Sequence, residues 1–557
     1  MLSNRHRRFP RTLLLCATVL TSYTLFPAER GMTAAPTPCV EDVSLPELVQ
    51  IAWPAAARDA QGLLPDLAAP AAIKLFPQQH HARAGGRLES FTVKEGMLPL
   101  AHLSEAMALA YPGVAAVPIP VLAPVDTARF LTEAAGAGQD QQYAVQASLG
   151  TSIEGIQFLP GLSGYDAVLT VSTKALRNLD IVVTYKPQVH IAGTAMSYGG
   201  ANRGEPVLAL QDLYPDLRRL LGADEVSYTF RKYGVPYFAN VSCLQGPRQP
   251  GRLACEQADA IVHVVLRDLR LIGGGPLEIK QRALPVEPRP TKVSATFKYH
   301  PPGRLLKGTS EGGGEMGNTT CKLHRAGHLG FPIKLRPVYA NSQVFMHSGD
   351  CQGQKQDVLD VPDDEFDHYK CKQSQKELLD FEGHRENYDY PWRDNYCEAR
   401  SGAPPGSAPG CPQGKGHAGQ DLRPWYCIPA RDKGARCKID VFEVVAVADG
   451  KAWWKTEPYE NHLRLMLDGG IYFMYLHMSP SALWNAGMER GRAIPETKGQ
   501  VIGMVGNFDK AVVGGTSTHL HFEIRYGDDI GAPVSPYWTL VRAYELHINA
   551  RGTEVAD

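Results

Sequence analysis

The sequence predicts a multidomain chain: an N-terminal α/β or α+β domain followed by a C-terminal all-β antiparallel domain. Three observations carry this. The C-terminal two fifths is a series of short β-branched and aromatic runs (VFEVVAVADGKAWW, HLRLMLDGGIYFMYLHMS, GQVIGMVGN, THLHFEIR) divided by turn signals such as Ala448-Asp449-Gly450 and Asp468-Gly469-Gly470. The region before it mixes strand-like alternation with stretches of helical spacing. Between them lies a run rich in proline, glycine and charge (PVEPRPTK, PPGRLLKGTSEGGGEMGN), the composition of a linker or extended arm. The expected parts are a leader over 1–34, an N-terminal domain over 35–275, a linker over 276–330 and a C-terminal domain over 331–549, with a cysteine-bearing insertion at 346–415.

The leader begins with a basic segment, MLSNRHRRFPRT, and continues with an apolar core, TLLLCATVLTSYTLF. Small residues at Thr33-Ala34-Ala35 offer a cleavage site, so export to a periplasm or beyond is expected. Leu15 precedes Cys16 where a lipid-modified cysteine needs a small residue, which argues against a lipoprotein. An uncleaved anchor stays open as an alternative. No second long apolar run follows, so no further membrane span is expected. With 557 residues, 44% of them hydrophobic, the chain has material for two or three cores. A net charge of -1 shows no basic field, which speaks against a nucleic-acid partner. Of 11 cysteines, ten remain once Cys16 leaves with the leader, and none form a C-x-x-C pair. In an exported protein an even set implies disulfides. Nearness in sequence makes Cys243 with Cys255, and Cys427 with Cys437, the first expected pairs.

In the N-terminal region FTVKEGMLPLAHL reads as a strand, a turn and a helix. DAVLTVST and LDIVVTYKPQVHIAG alternate as strands, with Pro187 marking a break or an edge. Leu213, Leu217, Leu220 and Leu221 recur at helical spacing up to Gly222, a candidate C-cap. A second helix is expected over 258–271, with Ile261, Val262, Val265 and Leu269 on one face. His190 and His263 fall inside these periodic segments and read as packed histidines. The glycine triplets at Gly273 and Gly312 lack the lysine of a phosphate loop and read as linkers. In the insertion, DVPDDEFD is a solvated face, and NYDYPWRDNYC offers aromatic rings that could stack on sugars.

The chemistry lies between Gly416 and Arg525. GHAGQDLRP, YLHMS and STHLHFEIR supply His417, Asp421, His477, His519 and His521. A hydrolytic zinc site needs three imidazole or carboxylate ligands and one open position. In THLHFEIR, Leu520, Phe522 and Ile524 alternate with the histidines and Glu523, which places His519 and His521 on one strand face. Spacing alone does not say which histidine ligates and which stands beside the metal.

The set H-x-G-x-D (His417 to Asp421), Y-x-H (Tyr475 to His477) and H-x-H-F-E (His519 to Glu523), with GQVIGMVGN between the last two, resembles the lysostaphin-like (LytM-type) zinc metallopeptidases from about Phe331 onward. The resemblance implies that His417, Asp421 and His521 hold Zn²⁺, with His477 and His519 flanking the water and the scissile carbonyl. It departs from the family at Thr518, where proline is usual, and in RPWYCIPARDKGARC, inserted after Asp421. It implies an exported endopeptidase cutting the crosslinks or stem peptides of peptidoglycan. Two alternatives stand beside it: a non-catalytic wall-binding activator of amidases, and a zinc peptidase acting on proteins.

Overall fold

The computed structural model describes residues between 42 and 555, leaving out 54–105, 303–321, 341–390, 399–410, 412–415, 425–436 and several shorter stretches. The leader, the FTVKEGMLPLAHL segment, Gly312, the acidic run of the insertion and Cys427 lie outside the described residues. Strand predominates over helix, and no helix among the described residues is long and apolar enough to cross a membrane.

Seven strands make the first sheet: β1 (Ile153–Pro160), β2 (Gly164–Val171), β3 (Gln188–Thr194), β4 (Glu205–Pro206), β5 (Arg218–Leu221), β6 (Glu225–Lys232) and β7 (Val235–Ser242). They are antiparallel throughout, in the order β1-β2-β3-β7-β6-β5-β4. Period-two alternation turns Val189 and Ile191, Val226, Tyr228 and Phe230, and Tyr237, Ala239 and Val241 into one core. Helix α1 (Cys255–Asp268) covers that core with Ala258, Ile261, Val262, Val265 and Leu266. The expected disulfide Cys243–Cys255 ties the end of β7 to the start of α1.

Three local expectations need correction: in LDIVVTYKPQVHIAG the strand begins only after Pro187, at Gln188, and the run before it leaves Val182 exposed. The helix expected over 258–271 starts and stops earlier, and Leu269–Gly273 leaves it as a strand paired with Val121–Pro124. The leucines at 213, 217, 220 and 221 do not form a helix. A short turn at Leu208–Leu210 is followed by β5, whose Leu221 pairs with Val226 of β6. The edge of β6 offers a full row of backbone partners, and satisfying those outweighs a weak apolar spacing that exposes Leu213.

The second sheet holds β8 (Val338–Ala340), β9 (Gln420–Pro424), β10 (Gly450–Trp454), β11 (Leu463–Leu467), β12 (Ile471–Leu476), β13 (Ala493–Glu496), β14 (Leu520–Tyr526) and β15 (Ala532–Val534). The order is β8-β9-β14-β12-β11-β10-β13, with β15 also paired to β14. One face, with Leu463, Leu465, Ile471, Phe473, Tyr475, Leu520, Phe522 and Ile524, packs on helix α3 (Tyr537–Ile548), which follows a short helix α2 (Pro480–Asn485). The stretch expected as a linker or arm contributes the strand Val293–Tyr299, whose Phe297 and Tyr299 are buried in this second core. The aromatic run of the insertion is no sugar platform where it is described. Trp392 is buried in the same core and donates through Nε1 to Val338 O, and Tyr396 donates to Pro533 O.

The other face of the second sheet lies on the first. Trp453, Met466, Tyr472 and Met474 meet Val168, Ala192 and Phe238 in a third apolar cluster. Each large side chain buried this way contributes on the order of 1.5–3 kcal/mol. Burial on both sides explains why LRLML and IYFMYL are apolar at nearly every position instead of alternating.

Charges are set among these apolar contacts. Glu225 of β6 accepts from Lys455 (3.1 Å), from Arg464 (3.1 Å) and from Arg525. Arg464 also reaches Asn240 Oδ1 (3.1 Å) and His190 Nδ1, and His190 Nε2 lies 2.8 Å from Asp166. Burial alone would raise the Glu225 pKa, but Lys455, Arg525 and Arg464, with a hydrogen bond from Asn240, hold it well below the usual carboxylate range. A carboxylate depressed in the folded state stabilises above its unfolded value, and that stabilisation is lost as pH falls through the window below it. The melting temperature is therefore expected to drop as pH goes below the ordinary glutamate value of 4.5. Glu225→Gln should flatten that drop in a thermal-melt series. Curves of equal slope for the two proteins would show that Glu225 does not carry the effect.

Candidate metal centre

Three neighbouring strands assemble the site. On β9 and β14, Asp421 lies directly opposite His521, and on the far side of β14 the last residue of β12, Leu476, is also opposite His521. Directly opposed residues project to the same face. Because Leu520, Phe522 and Ile524 fill the second core, Asp421 and His521 point away from it. His417 is brought in by the sharp approach of Gly419 to β14. A Cβ on Gly419 would stand 2.4 Å from Phe522 O and 2.7 Å from His521 Nε2, so the middle of H-x-G-x-D has room only for glycine.

Among the described residues, His417, Asp421 and His521 form a buried group whose ligand atoms all lie within 4.8 Å of one another, and the group could hold a metal ion. His417 Nε2 lies 2.8 Å from His521 Nδ1 and 3.2 Å from Asp421 Oδ1, and His521 Nδ1 lies 3.1 Å from the same oxygen. The outer nitrogens fix the tautomers. His417 Nδ1 donates to the backbone carbonyl of Asn395 (2.9 Å), and His521 Nε2 donates to Glu523 Oε1 (2.8 Å). With the outer nitrogens so committed, an ion that displaces the proton held between the facing nitrogens meets two lone pairs and the carboxylate converging on one point. Such a donor set fits a divalent cation.

The electrostatics agree. Burial alone would raise the Asp421 pKa, but His417 and His519 hold it well below the carboxylate range. For His521, burial works to lower the pKa, while hydrogen bonds to Asp421 and Glu523 and their charges push it up to about 9. A pocket that attracts a proton so strongly attracts a cation for the same reason.

His477 and His519 stand beside this trio, with ring centroids 4.6 Å apart. Each is anchored by Nδ1 to a backbone carbonyl, His477 to Phe508 O (2.9 Å) and His519 to Ser517 O (2.7 Å), which leaves each Nε2 as a base. Burial lowers both pKa values, and for His477 the neighbouring His519 and His521 lower it further. Both imidazoles are therefore neutral near neutral pH. The glycine-rich segment before β14 explains how they are held. His519 N donates to Gly506 O (3.0 Å), and a Cβ on Gly506 would meet His477 O at 2.4 Å. His477 itself has a left-handed backbone, φ 71°.

The five residues predicted from sequence are thus brought together at one end of the β9–β14–β12 group. Others were missed. Asn395, in the insertion, donates from its side chain to Asp421 Oδ2 (3.2 Å) and accepts from Asp421 N (3.2 Å), besides receiving His417 Nδ1. The disulfide Cys397–Cys411 and the bonds Cys397 N to His417 O (2.9 Å) and His417 N to Glu398 O (2.8 Å) clamp this segment to the ligand loop. No spacing in the sequence marks Asn395. Glu523 could have been found, since alternation places it on the histidine face. Thr518, the residue that departs from proline, donates to Cys437 O (3.1 Å) and accepts Arg423 through its carbonyl (3.1 Å). Cys437 is disulfide-bonded, and Cys427, its expected partner, lies outside the described residues. Comparison of the chain with protein-family models and with curated proteins gave no match.

Proposed function

We propose that the chain is an exported, zinc-dependent endopeptidase of the lysostaphin-like type that hydrolyses peptide bonds in the crosslinks or stem peptides of peptidoglycan. The observation that carries the reading is the convergence of three lone-pair donors, His417 Nε2, Asp421 Oδ1 and His521 Nδ1, next to two neutral imidazoles that are not needed to hold an ion. A bound divalent ion would lower the pKa of a water towards about 7 and polarise a carbonyl.

The chain's own residues supply the proton handling. With Nδ1 committed to Phe508 O, His477 can take a proton at Nε2, and His519 can do so with Nδ1 on Ser517 O. Once charged, either imidazolium is a donor, able to hydrogen-bond a developing oxyanion or to pass its proton to the leaving amine. Fixed carbonyl anchors mean that little reorganisation is needed as charge develops. The amidase-activator reading is disfavoured because all three ligands and both flanking bases are present.

Purified protein incubated with sacculi is expected to release muropeptides whose masses differ by the water added at a peptide bond, and a chelator should stop the release. Casein digested under the same conditions is expected to stay intact. Cleavage of casein but not of sacculi would replace the wall substrate with proteins, and chelator-insensitive release would remove the metal from the mechanism.

A further inference from the structure

We infer that Glu225, a residue of the first sheet 300 positions before Arg525 in sequence, is a positioning residue of the metal centre, acting through Arg525 and Glu523 on His521. The inference rests on the metal-site reading above and goes further: it makes the N-terminal half part of the site.

The chain of contacts is short and buried throughout. His521 Nε2 donates to Glu523 Oε1 (2.8 Å), and this bond leaves Nδ1 free to face His417 and Asp421. The other oxygen of Glu523 accepts Arg525 Nε (2.5 Å), and Glu225 accepts Arg525 Nη1. His521, Glu523 and Arg525 alternate along β14 on the face opposite Leu520, Phe522 and Ile524, so one strand face runs from the ligand trio to the first sheet.

Removing Glu225 would change the load on Glu523. Three buried cations, Lys455, Arg464 and Arg525, converge on Glu225. Without that carboxylate the nearest anion for Arg525 is Glu523, already bonded to its Nε. The guanidinium would then draw Glu523 away from His521, loosening the ring orientation and the tautomer that keep Nδ1 a ligand. Hydrogen-bond partners of metal-bound histidines set affinity in this way, by about 10- to 100-fold. A purely architectural role predicts something else: loss of stability with an unchanged site.

The test is Co²⁺ titration of metal-stripped full-length protein, read by the visible absorption of the bound ion, for wild type, Glu225→Gln and Gln188→Ala. Gln188 serves as the control because it bridges the same two sheets, bonding Trp453 Nε1 (3.1 Å) and Gly491 O (2.9 Å), and none of those bonds joins the charge chain. Glu225→Gln is expected to weaken Co²⁺ binding about tenfold and to alter the spectrum. Gln188→Ala is expected to lower the melting temperature with affinity and spectrum unchanged. Equal affinity in wild type and Glu225→Gln, or equal weakening in both variants, would overturn the positioning role. A wild type that binds no Co²⁺ would overturn the metal-site reading itself. If Glu225→Gln does not fold, Glu225→Asp, which keeps the charge and withdraws the carboxylate by one methylene, is read against the same control by the same criteria.

Discussion

Asp421→Ala is expected to purify without metal and to have no hydrolytic activity, while wild type carries close to one zinc per chain. Asp421 Oδ1 is the atom that His417, His519 and His521 all face, at 3.2, 3.3 and 3.1 Å. It is the trio's only anion, so the substitution removes a ligand and the charge that draws a cation into a buried pocket. The loss should exceed the roughly 10- to 100-fold that follows deletion of a ligand's hydrogen-bond partner. Elemental analysis of the dialysed proteins reads it directly. Retention of stoichiometric zinc by the variant would remove Asp421 from the ligand set.

The second large effect separates chemistry from binding. His477→Ala should keep its zinc and lose about 10²- to 10⁴-fold in turnover, the usual contribution of a positioned acid–base group. His477 commits Nδ1 to Phe508 O and stands outside the ligand trio, so nothing in the metal's grip depends on it. Zinc content and kcat measured on one preparation test both halves. An active variant would displace His477 from proton transfer, and a metal-free one would make it a ligand.

Strand alternation made the face of the site legible, while the division of its histidines into ligands and bases came from the resemblance and not from spacing. In THLHFEIR the alternation that sends Leu520, Phe522 and Ile524 inward must send His521, Glu523 and Arg525 to the other face. Gly419 sits in H-x-G-x-D because its backbone touches β14, a requirement visible as a glycine though not as a contact. The strands of the second sheet were readable for a related reason: runs such as IYFMYL are too short and too uniformly apolar for an amphipathic helix. What stayed hidden was decided by partners far away in sequence. Leu220 and Leu221 belong to a helical spacing, yet the hydrogen-bonding edge of β6 claims them. Asn395 and Glu225 are ordinary polar residues until a fold sets one against Asp421 and the other against Arg525. Local pattern encodes the face a side chain uses; only tertiary pairing says what meets it there.

The left-handed backbone of His477 sets two selective pressures against each other at one position. A side chain with a Cβ costs on the order of 1 kcal/mol there relative to glycine, and the close approach of Gly506 gives the segment little freedom to relax. Under the proposed hydrolase reading, variants selected for heat tolerance alone would drift towards glycine at 477 and lose turnover. Where turnover is selected as well, the imidazole stays, and the compensating robustness has to accumulate elsewhere in the chain.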